Sequence, residues 1–192
     1  MGTQTTTPPV SDAELIRNYL KGEQSSFEEL YFRYRLSLYG YLNNLMHSSS
    51  LDVDDIFEET WLKVIEKLPR YRDDGRFSAW LFRLAHNIFI DAIRRQKNRT
   101  ASSLEDEKTP IHATVPEHTQ PEQQLANREL AEVIADALDQ LSADQKEVFL
   151  LRQQELSFKE IAVIQSCSLN TVLSRMHYAI KNLRKILSEY RK

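Results

Sequence analysis

Cysteine is almost missing from this chain. Cys167 stands alone among 192 residues, which excludes a disulfide framework and a cysteine-based zinc site. Glycine and proline are scarce too, at 4 and 6, while Leu, Glu, Lys and Arg abound, so the composition favours helix over sheet. No apolar run approaches the roughly 20 residues that a membrane-spanning helix needs. The opening MGTQTTTPPV is polar and lacks the apolar core of a secretory signal; its Met-Gly start with Thr6 is only a loose match to a myristoylation pattern. Histidines stand at 47, 86, 112, 118 and 177 without ligand spacing to each other or to Cys167. Neither a metal nor a cofactor is expected, and a reducing, cytoplasmic setting fits best.

A hydrophobic content of 41% is enough for packed cores, in one large domain or two small ones. Helical spacing of apolar residues is what fills the chain. Residues 1–10 read as disordered. Ser11 with Glu14 caps a first helix that Gly22 can end. Ser25 or Ser26 starts a second, carrying Phe27, Leu30, Tyr31, Tyr34, Leu38, Tyr41, Leu42 and Leu45. Asp52 opens a third with Val53, Phe57, Trp61, Val64, Ile65 and Leu68 inside, stopped by Pro69. A polar loop from Arg70 to Arg76 leads to a helix from about Phe77 to Lys97, with Trp80, Leu81, Leu84, Ile88 and Ile93 as its stripe. Four such helices suffice for one bundle over residues 11–98. Residues 99–122, rich in Thr, Ser, Glu and Pro without apolar period, read as a flexible linker. A second helical domain follows over 123–192. Its first helix carries Leu130, Val133, Ile134, Ala137 and Leu141, and Ser142 with Gln145 caps the next. The expected fold is all-α, two small helical domains joined by a linker.

The stretch SFKEIAVIQSCSLNTVLSRMHYAIKNL, residues 157–183, carries the strongest functional signal. Ser157 with Glu160 forms a capping box before a short helix through Ile161, Ala162 and Ile164. Ser168 or Asn170 caps a second helix in which Val172, Met176, Ala179, Leu183 and Ile186 recur at helical spacing. This is the pattern of a helix-turn-helix, whose second helix enters the major groove. Thr171, Ser174, Arg175, His177 and Tyr178 are placed to meet base edges, and Lys181, Arg184 and Lys185 to neutralise phosphates. The bland alternative is an ordinary basic surface helix; three successive capped helices at this spacing argue against it.

Charge is segregated. The net charge is −3, but residues 76–99 hold six Lys/Arg against one Asp, residues 157–192 seven against two acids, and residues 52–66 six acids against one Lys. Separate surfaces for nucleic acid and for a basic protein partner would produce this pattern. Tyr71, Arg72, Phe77, Trp80, Arg83, His86 and Asn87 interleave aromatic rings with cations, as unstacked bases and their phosphates require, and Arg94, Arg95, Lys97 and Arg99 extend the basic run. Trp80 and Leu81 read as core, whereas Tyr71 in a charged loop reads as functional. In DVDDIFEETW the pairs Asp54/Glu58 and Asp55/Glu59 lie one turn apart and make an acidic helix face. Asp54-Asp55-x-x-Glu58 also resembles a magnesium–diphosphate motif, but no second acidic pair accompanies it.

Taken together, DVDDIFEETWLKV, FSAWLFRLAHNIFIDAIRR and EIAVIQSCSLNTVLSRMHYAIKNLR, in this order and spacing, resemble the bacterial sigma-70 family in its compact extracytoplasmic-function branch. The resemblance implies a non-enzymatic initiation factor with a sigma-two-like and a sigma-four-like domain, which binds core RNA polymerase and promoter DNA, duplex and melted. It implies that Asp54, Asp55, Glu58 and Glu59 dock on polymerase. It implies that Tyr71, Arg72, Arg76, Arg83, His86, Asn87, Arg94 and Arg95 hold the melted minus-ten element. It implies that Thr171, Ser174, Arg175, His177, Tyr178 and Lys181 read the minus-35 duplex. An anti-sigma protein is a further expected partner. Departures from the family pattern are Glu58 for Gln, His86 for Arg, Gln165 at an apolar position, Ser166 and Asn170 for Gly, and Leu173 for a basic residue. The competing function is a stand-alone helix-turn-helix regulator, which needs neither the acidic helix nor the Tyr71 loop.

Overall fold

The computed structural model describes residues 10–72, 75–102 and 131–189. Among them there are helices and no strand. α1 (Asp12–Leu20), α2 (Gln24–Met46), α3 (Val53–Lys67), a 3-10 turn (Leu68–Arg70) and α4 (Phe77–Ser102) form the first set. In the second set α5, helical over 131–139, precedes α6 (Ala143–Gln153), α7 (Phe158–Ile164) and α8 (Leu169–Glu189). The expected N-terminal tail, most of the expected linker, and Leu130 lie outside the described residues.

Capping chemistry sets most boundaries. The side chains of Ser11, Asp52, Ser142 and Ser157 each accept from a first-turn backbone N–H. Ser157 and Glu160 complete a reciprocal capping box, satisfying two donors that a helix start leaves open. Of the two caps expected for α8, Ser168 serves, accepting from the Thr171 N–H at 3.1 Å. α2 departs from expectation: neither Ser25 nor Ser26 caps it, since Glu23 is the N-cap and its side chain makes no capping bond. Gly22, at φ +105°, turns the chain in a conformation that suits glycine. α4 also departs, continuing past Lys97 through Ser102, because no Gly or Pro interrupts it.

The first core is built from Leu15, Leu30, Leu38, Leu42, Val64, Leu68, Phe77, Leu81 and Phe82, all buried. An aromatic group of Tyr31, Phe57 and Trp61 meets edge to face beside it, the arrangement that ring quadrupoles favour. In α3 the inner stripe is rotated from the expected one: Ile56 and Thr60 are buried, whereas Ile65 is 41% exposed. In α4, Phe82 and Phe89 join the core and Trp80 stays half-buried. The second core gathers Leu138, Val148, Leu151, Ile161, Ile164, Val172 and Ala179; Ile134 faces outward. The two sets also pack on each other, α2 against α6 and α4 against α7, and their buried apolar side chains form one continuous cluster.

Candidate nucleic-acid and protein interfaces

The acidic ridge is on the surface. Asp52 caps α3 from outside the helix, accepting from the Asp54 N–H at 2.9 Å. Asp54, Asp55 and Glu58 are then exposed and Glu59 half-buried, while Ile56, Thr60, Trp61 and Val64 hold the opposite face in the core. Tyr39 from α2 hydrogen-bonds Asp54; burial and that carboxylate raise its phenol above its ordinary pKa. Leu62, 67% exposed, and Ile65 continue the ridge toward the C-terminus of α3. An acidic patch thus runs into an apolar one. Sequence periodicity missed this by placing Ile65 inside.

The second surface surrounds Tyr71. Its ring lies 4.7 Å from that of Trp80, tilted, and 5.9 Å from Phe77, edge-on. Phe77 is 1% exposed and anchors the cluster; Tyr71 and Trp80 are half-buried. Arg72, Arg76, Arg83, Asn87, Arg94 and Arg95 are exposed around and beyond them. Arg70, not singled out from sequence, joins Tyr71, Arg72, Arg76, Trp80 and Arg83 along a cleft whose other wall is α7. His86 does not point to that surface. Its Nδ1 lies 2.5 Å from Oε1 of Glu147 in α6.

The third surface is α8. Ser174, His177, Tyr178 and Lys181 are exposed together, as the helix-turn-helix pattern expects, with Leu173 beside them. Thr171 is half-buried, and its hydroxyl is hydrogen-bonded to Ser168 at 2.8 Å. Arg175 is held back: its guanidinium donates to Oε1 of Gln165 at 2.9 Å, touches Cys167 and pairs with Asp144. Gln165, at a position where an apolar residue was expected, is a polar hub. It also donates to Oε2 of Glu147 at 2.8 Å and to the Asp144 carbonyl at 3.2 Å. Ser166 takes the left-handed conformation at φ +51°, so the turn keeps the geometry that glycine would supply.

Glu147 was invisible to sequence reasoning. It is 6% exposed and accepts from Tyr41 of α2 at 2.8 Å, besides its contacts with His86 and Gln165. Burial pushes its carboxyl up, but the His86 bond and charge, with the bonds from Gln165 and Tyr41, outweigh that and hold it below the usual range. Tyr41 is driven well above its ordinary value by burial and by this carboxylate. Nearby, Nδ1 of His47 lies 2.6 Å from Oδ2 of Asp139, whose other oxygen takes Lys146. In the sequence, Lys146 and Glu147 look like ordinary solvated helix charges. No pattern of period or spacing marks them. Among the described residues no group of three or more His, Cys, Asp or Glu is placed to hold a metal, and no helix is long and apolar enough to cross a membrane.

Residues 30–99 match the family model described as Sigma-70 region 2, and residues 131–183 that described as Sigma-70, region 4. The RNA polymerase sigma factor CarQ of Myxococcus xanthus is 32% identical over 176 residues, covering 91% of this chain and 96% of that protein. The ECF RNA polymerase sigma-E factor of Escherichia coli K12 is 29% identical over 175 residues, covering 88% and 91%. Among solved structures, the sigma factor RpoE of Bartonella quintana, in complex with the anti-sigma factor NepR, has a TM-score of 0.67 at 23% identity, covering 84% of this chain and 96% of that one. CnrH in complex with the cytosolic domain of CnrY has the same TM-score at 24% identity, covering 94% and 99%.

Proposed function

This chain belongs to the sigma-70 family, as an RNA polymerase sigma factor of the extracytoplasmic-function type, and from that premise we propose which of its surfaces meets which partner. Sigma factors are transcription initiation factors and not enzymes: the chain binds core RNA polymerase and promoter DNA and makes or breaks no covalent bond. The ridge Asp54, Asp55, Glu58 and Glu59 docks on a basic element of the polymerase. The surface of Tyr71, Arg72, Arg76, Arg83, Asn87, Arg94 and Arg95 holds the separated minus-ten strand, and His86, turned to Glu147, is not part of it. α8, through Thr171, Ser174, Arg175, His177, Tyr178 and Lys181, reads the minus-35 duplex. The cytoplasm, where polymerase and promoters are found, is its site of action, and an anti-sigma protein is a partner to seek by co-purification.

The single observation that carries this assignment is the exposed acidic ridge on a helix whose other face is core. A stand-alone duplex-binding regulator has no use for it. Like-charge exchange tests it. Asp54→Lys together with Asp55→Lys abolishes co-elution with core polymerase in gel filtration while the far-UV circular dichroism spectrum of the chain stays that of the folded helical protein. Co-elution retained by that variant overturns the docking role.

A further inference from the structure

The leading end of α8 carries two leucines on its surface. Leu169 and Leu173 lie one turn apart and are 38% and 42% exposed. Val172 and Ala179 are fully buried and fix the face that α8 turns to its own domain. Leu173, one residue on from Val172, cannot turn inward with them. Its neighbours one turn away are Asn170 and His177, both exposed, so Leu173 stands at the edge of the row Ser174, His177, Tyr178 and Lys181. An exposed leucine by itself is ordinary. In the second turn of a helix that enters the major groove it is not, because the N-terminal residues of such a helix are the ones that reach base edges.

Charge narrows the kind of base that Leu173 meets. Between residues 169 and 180 Arg175 is the sole Lys or Arg, and Gln165 and Asp144 hold it. The leading turns therefore present no free guanidinium, the group that reads guanine bidentately. They present an isobutyl group instead. In the major groove the apolar feature of a base pair is the C5 methyl of thymine. Covering leucine and methyl together takes apolar surface of both out of water. Setting leucine on a guanine or cytosine edge strips donors and acceptors of water with no hydrogen bond in return.

We propose that Leu173 contacts the C5 methyl of a thymine in the minus-35 duplex and is a specificity-determining residue of this chain, favouring thymine at one position of that element. The inference rests on the assignment of α8 to the minus-35 duplex. Burial of a single methyl sets the expected discrimination at about fourfold. Specificity at this position is thus modest, and it is independent of salt because no charge takes part.

The experiment uses the full chain assembled with core polymerase. Selection from a randomised duplex library defines the upstream element that the wild-type complex enriches. Each thymine of either strand in that element is then replaced singly by deoxyuridine, which removes the methyl and nothing else. Affinity is measured by competition for wild type and for Leu173→Ala. Alanine favours the helix, and the circular dichroism spectrum checks that the variant is folded. One replacement is expected to weaken wild-type binding about fourfold. Leu173→Ala is expected to bind the thymine duplex about fourfold less tightly than wild type and to be indifferent to that same replacement. No effect of deoxyuridine at any thymine in wild type overturns the contact, as does an effect that persists undiminished in Leu173→Ala. An enriched upstream element without an A·T pair overturns it as well. Each of those results leaves the assignment of α8 to the duplex standing. Failure of the wild-type complex to enrich any upstream element strikes that assignment, and the inference with it.

Discussion

Gln165 and Arg175 share a hydrogen bond, 2.9 Å from the amide oxygen to the guanidinium, and that bond turns the one arginine on the leading face of α8 back toward its own domain. Asp144 holds the same guanidinium from α6. On the proposed assignment of α8 to duplex DNA, Arg175 must be released from these partners before it meets a base or phosphate. Loss of the ion pair is inexpensive, because Asp144 is largely exposed and such pairs are worth about 0–1 kcal/mol. Asp144→Asn is expected to raise affinity for minus-35 duplex up to about fivefold, measured by fluorescence anisotropy at fixed salt. A loss of affinity would show that the pair positions Arg175 for DNA instead of withholding it.

Tyr71 contributes a ring at the mouth of the basic cleft, tilted against Trp80. Base–aromatic stacking is worth about 1–3 kcal/mol, and it is available only once the strands have parted. Tyr71→Ala is expected to slow promoter opening more than it weakens the closed complex. Stopped-flow with a fluorescent base at the minus-ten element, set beside closed-complex binding at low temperature, separates the two. Equal losses in both would remove the strand-holding role.

Ser166 carries a positive φ in the helix-turn-helix turn, a conformation that costs an L-residue about 1–2 kcal/mol. Glycine relieves that strain, and its greater freedom in the unfolded chain returns part of the gain. Ser166→Gly is expected to stabilise by about 0.5 kcal/mol net and to raise Tm by about 2 °C. A calorimetric melt that moves downward would mean that the serine makes a compensating contact.

The depressed carboxyl of Glu147 gives a pH signature. Its ordinary value is 4.5 and in the folded chain it lies lower, so its contribution is fully present above about 4.5 and lost as pH falls through the folded value. Around it stand Tyr41 from α2, His86 from α4 and the neutral Gln165 from the end of α7. The wild-type melt is expected to fall more steeply than that of Glu147→Gln below about pH 4.5. Parallel curves would show that the buried carboxylate is not linked to folding.

Much of this protein was decided by local rules. Serine caps, with Glu or Gln three residues on in α1, α6 and α7 and with Thr171 in α8, and apolar residues at helical spacing determined where these helices begin and which face each buries; in α8 Val172, Ala179 and Leu183 are buried as the period requires. The acidic face of α3 and the exposed row Ser174, His177, Tyr178 and Lys181 followed from the same arithmetic, because a helix fixes which residues share a side. Where local signals conflicted, as at the uncapped start of α2 or the inner stripe of α3, packing between helices chose.

Only the tertiary structure decided what joins the two sets. Tyr41 and Glu147 are 106 residues apart, and His86 and Glu147 are 61 apart. No periodicity relates positions so distant. The polarity of Glu147, His86 and Gln165 gives no hint that they converge, since a charged residue reads as solvated until a partner is brought to it. Local sequence sets the face a side chain occupies; which other face it meets depends on how whole helices pack.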